Sequence, residues 1–146
     1  MTRFENELVL LVEDSAADVL LTQRAFRKNG FACRLEVARD GEQALAYLHG
    51  TADAPPSACP QLVLLDLKLP KVDGLDVLRR LREHPRTARL PVVVLTSSKE
   101  QEDIAGSYRS GANAYVRKPI DFSEFVQAVN HLGFFWLALN QRPALE

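Results

Sequence analysis

Glu13 and Asp14 stand side by side where an apolar run stops, in "LVLLVED", and other reactive residues follow similar runs. Asp66 closes "LVLLD" (62–66), Thr96 and Ser97 follow "VVVL" (92–95), and Lys118 ends "AYVRK" (114–118). If these run ends meet, three carboxylates, a hydroxyl and an ammonium share one site. Two unit charges ~5 Å apart repel by about 3 kcal/mol at an effective dielectric near 20, and three carboxylates make three such pairs. Either some of them take up protons or a cation sits among them. A hard divalent ion with oxygen ligands suits the second answer. Mg²⁺ in particular keeps several waters beside one or two carboxylates and a phosphate, and Mn²⁺ can take its place. The expectation is a Mg²⁺ site built from Glu13, Asp14 and Asp66. A simpler reading has Asp14 or Ser15 capping a helix. That reading accounts for the adjacent pair alone, but not for Asp66, Thr96 and Lys118 at the ends of three further runs.

The runs themselves say how such a site could be assembled. "LVLLV" (8–12), "LVLLD" and "VVVL" are strand-length, rich in branched residues and apolar on both faces, as in the interior of a parallel sheet. "CRLEV" (33–37) and "AYVRK" alternate, which marks strands with one wetter face and places them at the edges. Helical patterns lie between. Residues 15–29 carry Ala16, Val19, Leu20 and Phe26 on one face and end at Gly30, a C-terminal cap. "DGEQALAYLHG" repeats the form, and "DGLDVLRRLREH" spaces Leu75, Leu78 and Leu81 by three before Pro85 stops it. Strand and helix alternate five times. This predicts an α/β fold, a flavodoxin-like doubly wound five-stranded parallel sheet of order 2-1-3-4-5 with helices on both faces. Parallel strands point their carboxyl ends one way, so the reactive residues converge at the edge where such sheets bind ligands.

Composition narrows the class further. Hydrophobic residues make up 47% of the 146 and charged ones 25%, as in a single globular domain, and "TADAPPSACP" (51–60) reads as a surface loop. Eighteen basic residues against 19 acidic give a net charge of −1, without the basic stripe of a nucleic-acid module. Cys33 and Cys59 lack metal-site spacing and are expected to be free thiols in a reducing compartment. No run is long enough to span a membrane and no leader is legible, so a soluble cytoplasmic protein is expected.

"VEDS", "LLDLKLPKVDG", "VVVLTSS" and "GANAYVRKP", in that order over essentially the whole chain, resemble the response-regulator receiver domain of two-component signalling. The resemblance implies that Asp66 is the phosphoryl acceptor. It implies that Glu13, Asp14, Asp66 and the backbone carbonyl of Lys68 hold Mg²⁺, and that Thr96 and Lys118 contact the phosphoryl group. It also implies a cis bond between Lys118 and Pro119. Receivers couple a movement of the hydroxyl, here Thr96, to an aromatic on the fifth strand, here Tyr115, which turns inward. The helix expected over about 99–110, anchored by Ile104, Ala105 and Tyr108 around Gly106, is the natural moving part. Lys68 departs from relatives that carry asparagine or a small residue there, and its side chain could alter autodephosphorylation.

A chain of residues 1–146 with no output domain after the receiver is expected to signal by protein contact rather than act as an enzyme on other substrates. Its catalysis would be confined to its own phosphorylation and dephosphorylation. "LGFFWLAL" (132–139) is apolar or glycine at every position. An extended C-terminal helix with apolar residues on all sides predicts a homodimer on the strand 4 to helix 5 side through Phe134, Phe135, Trp136 and Leu137. "VEDSAADVLLTQRAF" and "FVQAVNHLGFFWL" resemble stand-alone regulators paired with phytochrome-type histidine kinases, which implies a phosphohistidine donor on a light-sensing kinase. Three alternatives compete. A haloacid-dehalogenase-like phosphatase needs a second aspartate where Lys68 stands, and a nucleotide or flavin binder needs a glycine-rich loop after the first strand. A receiver-fold scaffold that works unphosphorylated would keep all of these residues.

Overall fold

The computed structural model describes residues 4–142, in which strands and helices alternate without interruption. The strands are β1 (Leu8–Val12), β2 (Arg34–Ala38), β3 (Leu62–Leu65), β4 (Val92–Thr96) and β5 (Ala114–Arg117). The helices are α1 (Ala16–Lys28), α2 (Gly41–His49), α3 (Gly74–Glu83), α4 (Gln101–Arg109) and α5 (Phe122–Gly133). All pairings are parallel, in the order β2-β1-β3-β4-β5, as the edge and interior patterns predict. The three runs that are apolar on both faces are the three inner strands, and every residue of β1, β3 and β4 is buried.

Side-chain alternation along the strands divides the core in two. Val9, Leu11, Leu62, Leu64, Val93 and Leu95 meet α1 and α5 through Val19, Phe26, Phe125 and Val129. Leu10, Val12, Val63, Leu65 and Val92 meet α2 and α3 through Ala44, Leu48, Val77, Leu78 and Leu81. The α1 face differs from the sequence expectation. Ala16 and Leu20 are exposed, and Val19, Thr22, Ala25 and Phe26 form the buried stripe. Apolar type alone does not distinguish Leu20 from Val19; the phase set by packing on the sheet does. Gly30, at φ +73°, follows the helix end as expected.

Two more expectations need correction. Helix α4 is held by Gly106 and Ser107, both buried, whereas Ala105 and Tyr108 are exposed and Ile104 is half-buried. The helix is narrow at its contact because Gly106 lies against Leu75 of α3. At the other end of the chain α5 does not continue as one regular helix. After Gly133 it widens into a π-helical segment, Phe134–Leu139, where the Asn140 N–H donates to the Phe135 carbonyl five residues back. Leu132 and Leu137, five apart like the partners of the π-helical hydrogen bond, are both buried. Gly133 permits the close approach: a Cβ there would lie 2.3 Å from the Phe31 ring. Among the described residues no helix is long and apolar enough to cross a membrane.

Candidate phosphoacceptor and metal site

Strand register assembles the site. Val12 pairs with Leu65, and the next residues on these strands are Glu13 and Asp66. The Glu13 N–H donates to the Ala38 carbonyl (2.9 Å) and the Asp66 N–H to that of Val12 (3.0 Å), so the ladder runs on past the strand ends. At the other side Thr96 pairs with Arg117, and the Lys118 N–H donates to the Thr96 carbonyl (2.7 Å). Gly74, the first residue of α3, packs on the acceptor strand's exit. A Cβ there would lie 2.6 Å from the Asp66 carbonyl oxygen and the Leu67 Cα. Only a glycine lets α3 begin that close.

Carboxylate oxygens of Glu13, Asp14 and Asp66 lie within 4.8 Å of one another. Glu13 is buried, Asp66 half-buried and Asp14 exposed, so the cluster opens to solvent on one side. An all-oxygen donor set of this span fits a hard divalent cation after modest closure. Ser15 caps α1 by accepting from the Asp18 N–H (3.2 Å), which leaves Asp14 free of that duty. Asp66 Oδ1 accepts from the Leu67 N–H (2.8 Å) and Oδ2 faces Lys118 Nζ at 3.9 Å. The Lys118 ammonium donates to Glu13 Oε1 and, at 3.0 Å, to Asp18 Oδ2.

Burial pushes the Glu13 carboxyl up to about 7; Lys118 pulls against the rise and Asp66 adds to it. Burial also works against the Lys118 ammonium, but Glu13, Asp66 and Asp18 outweigh it and raise its pKa. Lys118 stays charged, because three carboxylates surround it. Glu13 holds its proton more readily than an ordinary glutamate, because it is the most enclosed of them. Part of the predicted repulsion is thus relieved without a cation, by the Lys118 ammonium between Glu13, Asp18 and Asp66.

Thr96 is buried, and its Oγ1 faces the Ser98 N–H at 3.5 Å. Tyr115 is half-buried, and its hydroxyl donates to the Ser98 carbonyl (2.9 Å), which ties β5 to the loop before α4. Ser98 also donates to Asp103 (2.5 Å) in the first turn of α4. Lys68 is exposed on the loop leaving Asp66. The Lys118–Pro119 bond is trans, not cis, since the described residues contain no cis peptide. Trans is the isomer an X–Pro bond prefers by about 0.5–1 kcal/mol. Burial pushes the Cys33 thiol up to about 11, unsuited to a nucleophile or ligand. Of the four residues placed at a dimer interface, Leu137 is buried in the chain's own core and Trp136 packs against it. Phe134 sets its edge on Phe4 and Phe31. Phe134 and Phe135 keep exposed faces, 37% and 48%, and Leu139 is 69% exposed.

Sequence reasoning overlooked Asp18. A signal was present: side chains in a helix's first turn tilt back toward its N-terminus, which here is the site.

The profile of the response regulator receiver domain matches residues 9–130. The chain belongs to this family. A receiver domain of this family is a signalling protein rather than a conventional enzyme; such domains bind divalent metal and work with histidine kinases. Among its relatives, the probable methanogenesis regulatory protein FilR2 of Methanothrix harundinacea is 40% identical over 93% of this chain and 87% of its own length. Response regulator Rcp1 of Synechocystis is 38% identical over 94% of both chains. A crystal structure of Rcp1 is of its Mn²⁺-bound form, with a TM-score of 0.82 at 37% identity, covering 94% of this receiver and 99% of that chain. The phosphorylated cyanobacterial phytochrome response regulator RcpA superimposes with a TM-score of 0.88 at 37% identity, over 94% of this receiver and 99% of that chain.

Proposed function

We propose that Asp66 accepts a phosphoryl group from a sensor histidine kinase in a Mg²⁺-dependent reaction, with Mn²⁺ as a substitute. The observation that carries this reading is the meeting of three carboxylates within 4.8 Å, with an ammonium 3.9 Å from the acceptor oxygen. Glu13, Asp14 and Asp66, with the Lys68 carbonyl, would hold the cation. Bound there, it supplies positive charge to the carboxylates and to the phosphoryl oxygens. The chain's own residues supply the rest. The Leu67 N–H fixes one oxygen of Asp66, Lys118 offers charge on the other side, and Thr96 presents a hydroxyl from the neighbouring strand end. The resulting acyl phosphate is open to water, so the signal decays, and the chain catalyses only its own phosphorylation and dephosphorylation. Thr96 moving toward the phosphoryl group would release the Ser98 loop that Tyr115 holds, and would shift α4, whose anchors are small.

Incubation with acetyl phosphate and Mg²⁺, read by intact mass, tests the reading. Wild type gains one phosphoryl group, and both Asp66→Asn and metal removal prevent it. An unphosphorylated scaffold would gain nothing.

The kinase we infer is of the phytochrome type, a bacteriophytochrome, because Rcp1 and the phytochrome regulator RcpA match along nearly their whole lengths. We infer that the protein works in the cytoplasm and that this receiver signals by protein contact. The exposed faces of Phe134, Phe135 and Leu139 support a homodimer there, with Leu137 keeping to its own core. Sedimentation at high micromolar concentration is expected to show dimer, and monomer alone would defeat it.

A further inference from the structure

Lys118 faces more carboxylates than it can serve from one position. Its ammonium donates to Glu13 and, at 3.0 Å, to Asp18, but stands 3.9 Å from Asp66 Oδ2, too far for a hydrogen bond. The charge that would assist transfer onto Asp66 is thus drawn toward α1. Asp18 is the residue on that side, and its backbone is anchored at both ends. Its N–H donates to Ser15 Oγ, and its carbonyl accepts from the hydroxyl of Thr22 (2.8 Å), a buried residue. Asp18 lies outside the acidic triad. A cation that engages Glu13 therefore leaves Asp18 as the carboxylate still holding Lys118.

We propose that Asp18 is a positioning residue for the phosphoryl transfer: its carboxylate holds the Lys118 ammonium back from Asp66 and so slows formation of the acyl phosphate. This rests on Asp66 being the phosphoacceptor. In the transfer an Asp66 oxygen bonds to phosphorus while the bond from phosphorus to the donor atom breaks, and that bond's electron pair leaves with the donor. Lys118 forms no covalent bond and gives up no proton. It contributes charge at the phosphoryl oxygens, and that contribution grows as Nζ closes from 3.9 Å to hydrogen-bond length. With Asp18 neutral and Glu13 engaged by the cation, Lys118 is free to make the move.

The test follows phosphorylation by acetyl phosphate and Mg²⁺ in wild type, Asp18→Asn, Asp18→Glu, Lys118→Met and the Asp18→Asn/Lys118→Met double variant. Asp18→Asn is expected to raise the rate constant about three- to tenfold, the coupling usual for neighbouring groups. Asp18→Glu restores the charge and returns the rate toward wild type. Lys118→Met erases the gain, because Asp18 acts through Lys118. In metal-free protein, NMR of the Lys118 ammonium reads the contact directly, and Asp18→Asn is expected to shift its resonance and speed its proton exchange. An Asp18→Asn rate equal to or below wild type, a gain that persists without Lys118, or an unmoved ammonium signal each overturns the proposal. Wild type that takes up no phosphoryl group would instead overturn the reading of Asp66, and this one with it.

Discussion

Glu13 is a site residue whose removal is expected to stabilise the metal-free protein. Its side chain is 2% exposed, and burial raises its carboxyl from 4.5 to about 7 even with Lys118 in contact. Above pH 7 the folded chain carries a buried carboxylate that the unfolded chain ionises freely. The gap between 4.5 and about 7 corresponds to about 3 kcal/mol. Gln keeps the shape, stays neutral and can still accept from Lys118. At pH 8 with chelator, Glu13→Gln is therefore expected to be more stable than wild type by about 2–3 kcal/mol. The sign follows from proton counting. Between pH 4.5 and about 7 the folded wild type binds a proton that the unfolded chain does not, so its stability rises as pH falls through that window. The variant's advantage then shrinks to less than about 1 kcal/mol at pH 5. Mg²⁺ is expected to stabilise wild type by mass action and the variant far less. Urea denaturation at both pH values, with chelator and with Mg²⁺, reads all of this. A variant less stable than wild type at pH 8, or an advantage equal at both pH values, would refute the argument.

Two further predictions concern the frame around the site. Gly74→Ala sets a Cβ 2.6 Å from backbone atoms of Asp66 and Leu67, which cannot give way as a side-chain tip would. It is expected to cost about 1–3 kcal/mol in urea denaturation and to weaken divalent-cation affinity by calorimetry. His49 stacks on His84, and its pKa is lowered by burial, then by His84 and Arg86. Below its ordinary value of 6.5 the unfolded chain binds a proton that the folded chain resists, so stability is lost as pH falls through 6.5. His49→Gln removes that loss and is expected to gain stability relative to wild type as pH falls from 7 to 5.5 in urea denaturation.

The sheet was legible because its signal is strong. Three strands buried on both faces leave no polar position to confuse the reading, and parallel pairing then fixes where Glu13, Asp66, Thr96 and Lys118 meet. Helix faces were less legible, since Leu20 at 58% exposure and buried Val19 are both apolar and adjacent. Arg82 shows the same difficulty for polar residues. In "RRLRE" it looks like Arg80, yet it donates to the carbonyls of Thr87, Ala88, Leu90 and Gly111 and ties α3 to the start of β4 and β5. Such roles depend on which backbone carbonyls lie nearby, and local sequence does not encode that. The π-helical end escaped for a related reason: it depends on Phe31, more than a hundred positions from Gly133.

The site's charge balance links its stability to its function. Three carboxylates, Glu13, Asp18 and Asp66, face one ammonium, and Asp14 adds a fourth carboxylate beside Glu13 and Asp66. Lys118 cannot neutralise them all, and the remaining imbalance is met in one of three ways. A proton can stay on Glu13, a divalent cation can enter, or the ammonium can move between partners. Each answer occupies groups that another needs. Protonated Glu13 is a poor metal ligand, and Lys118 held by Asp18 is too far from Asp66 to assist it. A fully satisfied cluster would be more stable and would have nothing left to respond with. On the proposed function, the unmet charge would let a small cation and one phosphoryl group redistribute Lys118 and Thr96, with the thinly anchored α4 the nearest element that can follow.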